Sequence, residues 1–320
     1  MTGQRSLKVA AVIATGLTYL LIVLGGLVRV TDSGLSCPDW PTCYGHWVPL
    51  PADIAAVPGI AYSYGQVMLE WVHRLIAGVL LGPLVLAIAV LAVSLRARDR
   101  ALPWLGVGLL LLLLVQGGLG AFTVFDSNSP WSVAVHLGNA LIILAVLILV
   151  ATRAAGLPSP VPAAPSVPVL AAAASVLALG AMASAAMTTK SGAALACATW
   201  PDCDGAWLPD LSDPLVAIHF SHRLLAAATG VAVLALWLAC RGLDRARRRM
   251  ALLALALVVA QVGLGALVIL WQVPLPVAVL HQAVGVLLFV VLCRLLWRSA
   301  VAGRAASSER SADGLALHGA

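Results

Sequence analysis

The sequence predicts an all-α integral membrane protein with eight transmembrane helices, and two observations support that prediction. Hydrophobic residues make up 62% of the 320 positions and charged residues only 10%, whereas roughly a quarter of an average soluble chain is charged. Eight long apolar runs also follow one another, and a helix needs about 20 mostly apolar residues to cross a bilayer. The composition excludes a soluble enzyme and a nucleic-acid-binding domain, so no nucleic-acid partner is expected.

The eight apolar runs define the predicted spans. They lie at about 8–30, 67–94, 101–125, 131–152, 167–189, 215–240, 250–271 and 275–297. The first run ends at Arg29-Val30-Thr31-Asp32 without a small-residue cleavage pattern. We therefore expect it to be a retained span and not a signal peptide that is removed.

The basic residues predict which side each loop faces. If the N-terminus is cytoplasmic, 15 of the 19 Lys and Arg residues but only 4 of the 13 Asp and Glu residues lie on the cytoplasmic side. Cytoplasmic loops of membrane proteins carry an excess of basic residues. Both termini are therefore expected to be cytoplasmic, and the net charge of +6 reflects topology and not an anionic partner.

The chain divides into two related halves. Prolines at 158, 160, 162, 165 and 168 predict an extended connection between the fourth and fifth spans. Four features recur in the same order on both sides of it: Cys37-Pro-Asp-Trp-Pro-Thr-Cys43 and Cys197-Ala-Thr-Trp-Pro-Asp-Cys203, His73-Arg74-Leu75 and His222-Arg223-Leu224, Gln116-Gly-Gly-Leu-Gly and Gln261-Val-Gly-Leu-Gly, and His136 and His281. Four ordered matches indicate an internal repeat.

The repeat predicts two pseudo-symmetric, parallel four-helix bundles, because a unit with an even number of spans begins and ends on the same side. We expect a first repeat at 1–155, a Pro-rich cytoplasmic linker at 156–169, a second repeat at 170–298 and a flexible cytoplasmic tail at 299–320. The Gly-rich third and seventh spans are expected to admit a neighbouring helix or a flat ligand at close range.

Four histidines lie near the outer ends of alternate spans, at similar depth: His73, His136, His222 and His281. A polar residue at membrane depth is costly and therefore a functional candidate, although each could instead be a hydrogen-bonded packing residue. One histidine on each alternate helix gives a His–His pair in each bundle, which suits axial ligation of haem iron from both faces. Zinc or copper would need further ligands that the bundles do not offer.

The two halves differ three residues before the first histidine of each pair. Glu70 precedes His73, whereas His219 precedes His222, and residues three apart share a helical face. Glu70 is therefore a candidate for moving protons or assisting substrate oxidation at the first site. A favourable interaction with the helix dipole is the structural alternative. The difference predicts one chemical site and one electron relay.

Further polar residues of the same layer are candidates for secondary contacts with haem: Arg29, Arg74, Arg223, His219, Gln116 and Gln261. Two of them, Arg74 and Arg223, directly follow the proposed ligands. They could pair with haem propionates, or they could simply anchor their helices at the membrane interface.

The cysteines of the outer loops predict two local disulfides, Cys37–Cys43 and Cys197–Cys203, because that side of the membrane permits oxidation. A metal site made of all four is the alternative, but the C-x2-C spacing typical of such sites is absent. Cys240 and Cys293 lie near cytoplasmic helix ends and are expected to be reduced packing residues.

These motifs together resemble the haem A synthase family, in its bacterial, cysteine-containing branch. The resemblance rests on Arg29-Val-Thr-Asp-Ser-Gly-Leu-Ser-Cys-Pro-Asp-Trp-Pro, Glu70-x-x-His73-Arg74, Gln116-Gly-x-Leu-Gly, His222-Arg223 and His281. It extends from the first span to the eighth. It implies a membrane oxidoreductase that converts the C8 methyl group of haem O to a formyl group, giving haem A for terminal oxidases.

The resemblance also implies roles for individual residues. His73 and His136 would bracket the substrate haem, Glu70 would be catalytic, and His222 and His281 would hold haem b. A haem O synthase and an electron-transfer protein are the implied partners. The implied location is the bacterial plasma membrane, with both sites near its extracytoplasmic face.

Two other functions remain open from the sequence. A membrane cytochrome with two bis-histidine b haems would only relay electrons, but such a relay needs no acid in one half only. A transporter built from parallel repeats would place its site near the midplane, whereas these histidines crowd towards one side.

Overall fold

The computed structural model describes residues 2–156 and 166–317, with side chains to residue 301, and these ranges are predominantly helical. The helices are α1 (Thr2–Val30), α2 (Pro51–Ala55), α3 (Tyr64–Leu75), α4 (Gly82–Ser94), α5 (Leu102–Phe125), α6 (Pro130–Ala154), α7 (Ser166–Lys190), α8 (Pro214–Cys240), α9 (Arg245–Leu270) and α10 (Leu275–Leu317). A π-helical segment, Ile76–Leu81, joins α3 to α4, and a 3₁₀ turn, Ala193–Leu195, follows α7.

Eight of these elements are long and apolar enough to cross a membrane, with α3, the π segment and α4 forming a single span. No strand occurs in the described ranges, where β pairing is limited to two isolated bridges. The predicted fold class is confirmed. The cytoplasmic placement of the termini stays a prediction.

Side-chain caps explain where several helices begin. The hydroxyls of Ser63 and Ser129 accept hydrogen bonds from the first turns of α3 and α6. Asp213 and Asp244 do the same for α8 and α9. Each such cap satisfies a backbone N–H that has no partner within the helix, so polar residues at the ends of apolar runs set the helix boundaries.

The two halves pack through α1, α6, α7 and α10. One apolar core, which includes Ile22, Leu144, Leu236 and Leu292, draws on both halves. A second core, around Leu7, Ile88 and Leu147, belongs to the first half alone. The repeats therefore form one packed unit.

Polar groups also cross between the halves. The Tyr19 hydroxyl donates to the carbonyl of Ala283 at 3.2 Å, and the Trp297 indole N–H donates to the carbonyl of Ala145 at 2.9 Å. A bond satisfied inside the protein avoids leaving a polar group unpaired in hydrocarbon.

The second span is divided into three helical segments, whereas the equivalent α8 is a single α-helix. Pro83 lies at the start of α4, directly after the π segment. Proline lacks an N–H and clashes with the preceding turn of an α-helix, and a wider π turn accommodates both effects. The equivalent residue of α8 is Ala232, so only the first half has this irregularity, one turn beyond His73.

The domain boundaries stay predictions. Residues 157–165 of the expected linker lie outside the described residues, and α7 already begins at Ser166. Pro168 fits there because proline is tolerated in the first turn of a helix. The backbone of α10 is helical to Leu317, which includes most of the tail expected to be flexible.

Candidate functional site: two histidine pairs

Each proposed histidine ligand contacts the helix that precedes its own. A Cβ added to Gly25, Gly120 or Gly265 would lie 3.2–3.3 Å from Cε1 of His73, His136 or His281, respectively. That distance is tighter than ordinary van der Waals contact, so the glycines make room for the rings. Gly120 and Gly265 end the repeated Gln-x-Gly-Leu-Gly motif, so in both spans a glycine of the motif lies against a histidine ring.

The histidines of each half come together as pairs. A charge on His73 would act on His136, and a charge on His222 would act on His281. All four rings keep an intermediate exposure. Within the described ranges, no three His, Cys, Asp or Glu side chains converge as a metal site.

Amide side chains flank the second histidine of each pair. In the first half, Gln116 Nε2 lies 3.3 Å from Nδ1 and 3.2 Å from Nε2 of His136. Asn139 Nδ2 donates to Gln116 Oε1 at 2.7 Å and lies 3.0 Å from the carbonyl of Leu112. The Gln116 amide thus lies about equally close to both ring nitrogens of His136, and Asn139 holds that amide in place.

The second half keeps only part of that arrangement. Gln261 Nε2 lies 3.2 Å from His281 Nε2. Its Oε1 is buried without a hydrogen-bond partner, because Val284 stands where the first half has Asn139. The sequence motif predicted both glutamines but not Asn139, whose only signal was an amide inside an apolar run.

The first histidine of each pair shows a larger difference. His222 Nδ1 lies 3.0 Å from both Ser184 Oγ and the carbonyl of Ala181. Nδ1 of His73, in contrast, is buried without a partner, as is Nδ1 of His281. Sequence reasoning missed Ser184, since a serine in an alanine-rich span carries no distinctive signal.

Glu70 is buried and fully engaged. Its carboxylate accepts from Arg74 at 2.5 Å, from the backbone N–H of Cys37 at 2.9 Å and from the Ser36 hydroxyl at 3.1 Å. These donors join α3 to the first disulfide loop. Glu70 therefore lies one turn from His73, as predicted, and also anchors the loop above the site.

His219 occupies the place of Glu70 in the second half but contacts a different group. It is buried, and its Nδ1 lies 2.9 Å from the carbonyl of Ala193 in the 3₁₀ turn. A carbonyl only accepts, so Nδ1 donates. His219 thus fixes a turn and makes no ion pair with Arg223 such as Glu70 makes with Arg74.

Arg74 and Arg223 anchor the two disulfide loops in the same way. Arg74 donates to the carbonyls of Cys37, Asp39 and Thr42. Arg223 donates to the carbonyls of the three equivalent residues, Cys197, Thr199 and Asp202. The structure places both guanidinium groups against loop backbone, and contact with haem propionates stays a prediction.

Both predicted disulfides are present, Cys37–Cys43 with a Cα–Cα distance of 4.7 Å and Cys197–Cys203 with 4.6 Å. Cys240 and Cys293 are free and buried, as expected for packing residues.

Asp39 organises the first of these loops. It accepts hydrogen bonds from the Thr42 hydroxyl and from the backbone N–H groups of Tyr44 and Gly45. Burial alone would raise the pKa of Asp39, but these hydrogen bonds outweigh that effect and hold its pKa below the usual value. The carboxylate is therefore stabilised in its ionised, loop-organising form.

Arg29 lies at the boundary between the halves. Its guanidinium donates to Gln282 Oε1 at 2.6 Å, and Gln282 Nε2 donates to the carbonyl of Ile22 at 2.6 Å. Nε of Arg29 is buried without a partner, and its charge acts on both His222 and His281. A residue of the first half thus contacts α10 beside His281, through Gln282.

Comparison with known proteins identifies the family of this chain. The model of the family COX15-CtaA, described as cytochrome oxidase assembly protein, matches residues 8–293. The chain belongs to this family. Similar proteins include ones named haem A synthase from Shewanella oneidensis (32% identical, covering 86% of this chain and 91% of that protein), Symbiobacterium thermophilum (33%, 87% and 90%) and Halalkalibacterium halodurans (30%, 91% and 96%). The predicted resemblance is confirmed.

Proposed function

We propose that this protein is a haem A synthase, a membrane oxidoreductase that converts the C8 methyl group of haem O to a formyl group. The observation that supports the proposal most directly is the repeated histidine pair. In each half, at least one ring of the pair packs against a glycine of the preceding span. Relatives that carry the name over nearly their whole length support it independently.

In the first half, His73 and His136 would hold the substrate, haem O, between α3 and α6. Three features fit such a ligand: the two imidazoles are paired, each ring packs against a glycine, and the buried Nδ1 of His73 has no partner in the protein. Gln116 and Asn139 would orient His136 from the side. Glu70, one turn from His73 and buried, would handle protons released from the methyl group.

In the second half, His222 and His281 would hold haem b as a resident cofactor. When bound there, haem b supplies reversible one-electron transfer. Arg29 would neutralise a haem propionate, because its Nε is unpaired and its charge acts on both ligands. Gln261 and His219 would keep His281 and the outer turn in position.

The proposed function also implies partner proteins and an orientation in the membrane. A haem O synthase would supply the substrate, and an electron-transfer protein would exchange electrons with the haem of the second half. The arginine-rich ends of the bundles would face the cytoplasm, which places both sites near the extracytoplasmic face of the plasma membrane.

Haem extraction tests this function. The full chain is produced together with a haem O source, and its haems are extracted and identified by mass spectrometry. We expect haem A together with haem b. Haem b as the sole haem, despite available haem O, would indicate an electron relay, and a preparation without Soret absorption would indicate a transporter.

A further inference from the structure

The histidine pairs differ in how firmly the protein orients their first members. His222 lies against α7, where its Nδ1 is 3.0 Å from the carbonyl of Ala181 and 3.0 Å from Ser184 Oγ. The Ser184 hydroxyl itself donates to that same carbonyl at 2.8 Å. With its proton committed there, the serine oxygen can only accept from the imidazole.

This geometry determines which nitrogen of His222 carries the proton. Both neighbours of Nδ1 are acceptors, so Nδ1 is the donor and Nε2 keeps its lone pair. Metal-binding histidines usually donate their second ring N–H in this way, which fixes the ring orientation and makes the ligand more basic. His222 is therefore oriented as an axial ligand before any haem binds.

The first half lacks the equivalent groups. Cys37 and Cys197 set the register between α1 and α7, and the bonds from Thr31 to Leu27 and from Ser191 to Met187 repeat in that register. By that register, Leu24 stands where α7 has Ser184. His73 instead lies against Gly25, and its Nδ1 is buried without a partner.

We propose that Ser184, together with the carbonyl of Ala181, is the positioning group that makes the second-half haem a permanent cofactor. His73, which has no such group, serves the haem that must enter as substrate and leave as product. This inference rests on the proposed function. It adds a reason why two similar histidine pairs can treat their haems differently.

An isosteric pair of variants tests the positioning role. Ser184→Thr keeps the hydroxyl, whereas Ser184→Val has the same shape without it. Haem loss from the purified full chain to excess apomyoglobin is followed optically, and the midpoint potential of haem b is measured by redox titration. Ser175→Ala is the matched control, because Ser175 makes a similar bond along α7, to the carbonyl of Ala171 at 2.8 Å, away from the histidines.

We expect Ser184→Val to lose haem b about 10-fold faster than the unmodified protein, at the lower end of the effect of removing such a partner. Its potential should shift to a more positive value, because a less basic ligand stabilises the oxidised iron less. Ser184→Thr and Ser175→Ala should match the unmodified protein in both measurements. Equal haem loss and equal potentials for the Thr and Val variants would overturn the inference.

A second comparison tests the difference between the halves. His73→Ala leaves only the second-half pair intact, and His222→Ala leaves only the first. Haem bound by the first-half pair should be lost at least 10-fold faster, and the reverse order would contradict the inference. Full retention of haem b in His222→Ala would instead refute the placement of haem b in the proposed function.

Discussion

The two halves of the molecule share a scaffold but differ in the side chains around it. Both have a disulfide loop held by an arginine that donates to three equivalent carbonyls, and both have a histidine pair packed on preceding helices. The first half alone adds Glu70, Asn139 and the π-helical segment before Pro83, whereas the second adds His219 and Ser184. The repeat therefore places the proposed ligands at equivalent positions, and single substitutions within it change their surroundings.

Glu70 marks the largest difference in chemistry between the halves. Replacement by Gln keeps a side chain that can accept from Cys37 N–H but cannot take up a proton. If Glu70 handles protons, Glu70→Gln and Glu70→Ala should each lower haem A formation about 10²- to 10⁴-fold, measured by mass spectrometry of extracted haems. Asp53→Asn is the control, since Asp53 caps α2 in the adjoining loop. Normal haem A formation by Glu70→Gln would reduce Glu70 to a loop anchor.

Arg29 tests whether the first half contributes to the second site. Arg29→Gln removes a charge-assisted hydrogen bond worth about 1.5–3 kcal/mol, so haem b affinity should fall about 10- to 150-fold, since each 1.4 kcal/mol is a factor of ten. Titration of the haem-depleted chain with haem b measures the effect. Lys190→Gln, a basic residue at the end of α7, serves as the control. If haem b affinity were unchanged and haem O binding were weakened, Arg29 would be assigned to the first site instead.

The disulfides should have similar effects on stability and different effects on activity. Replacing either pair by Ser opens a short loop, which should cost about 2 kcal/mol in the free energy of unfolding. Only the first loop also donates a backbone N–H, from Cys37, to Glu70, so haem A formation should fall further in Cys37→Ser/Cys43→Ser than in Cys197→Ser/Cys203→Ser. Denaturant unfolding and haem extraction measure the two effects. Equal losses of activity in the two double variants would contradict the inference that only the first loop supports Glu70.

Acid should loosen the first loop more than the second. The pKa of Asp39 is lowered in the folded protein, so the ionised carboxylate stabilises the loop fully when the pH is above the pKa of the unfolded chain, about 3.9. This stabilisation is lost as the pH falls through the lower pKa of the folded protein. The second half has Thr199 at that position. The rate at which a phosphine reduces the first disulfide, relative to the second, should therefore rise between pH 5 and pH 3 by about a few-fold. Asp39→Asn should abolish that rise.

Much of this architecture could be predicted from the chain alone. Composition and run length predict eight spans, and the repeat predicts which residues are equivalent, so His73, His136, His222 and His281 emerge together. Their partners could not be predicted in the same way. Arg74 and Arg223 follow the proposed ligands in sequence, but only the structure shows that both groups donate to loop carbonyls, because a long flexible side chain contacts whatever acceptors the tertiary fold brings near it.

The sequence by itself determined the membrane class, the eight helices, the two disulfides and the paired histidines, since each depends on local composition or on spacing along the chain. The tertiary structure alone decided that Glu70 lies under the first loop, that Arg29 donates to Gln282 of the opposite half, and that Ser184 contacts His222 while His73 lies against Gly25. These contacts join residues distant in sequence. Their energies depend on distances of a few ångströms, which helical periodicity does not specify.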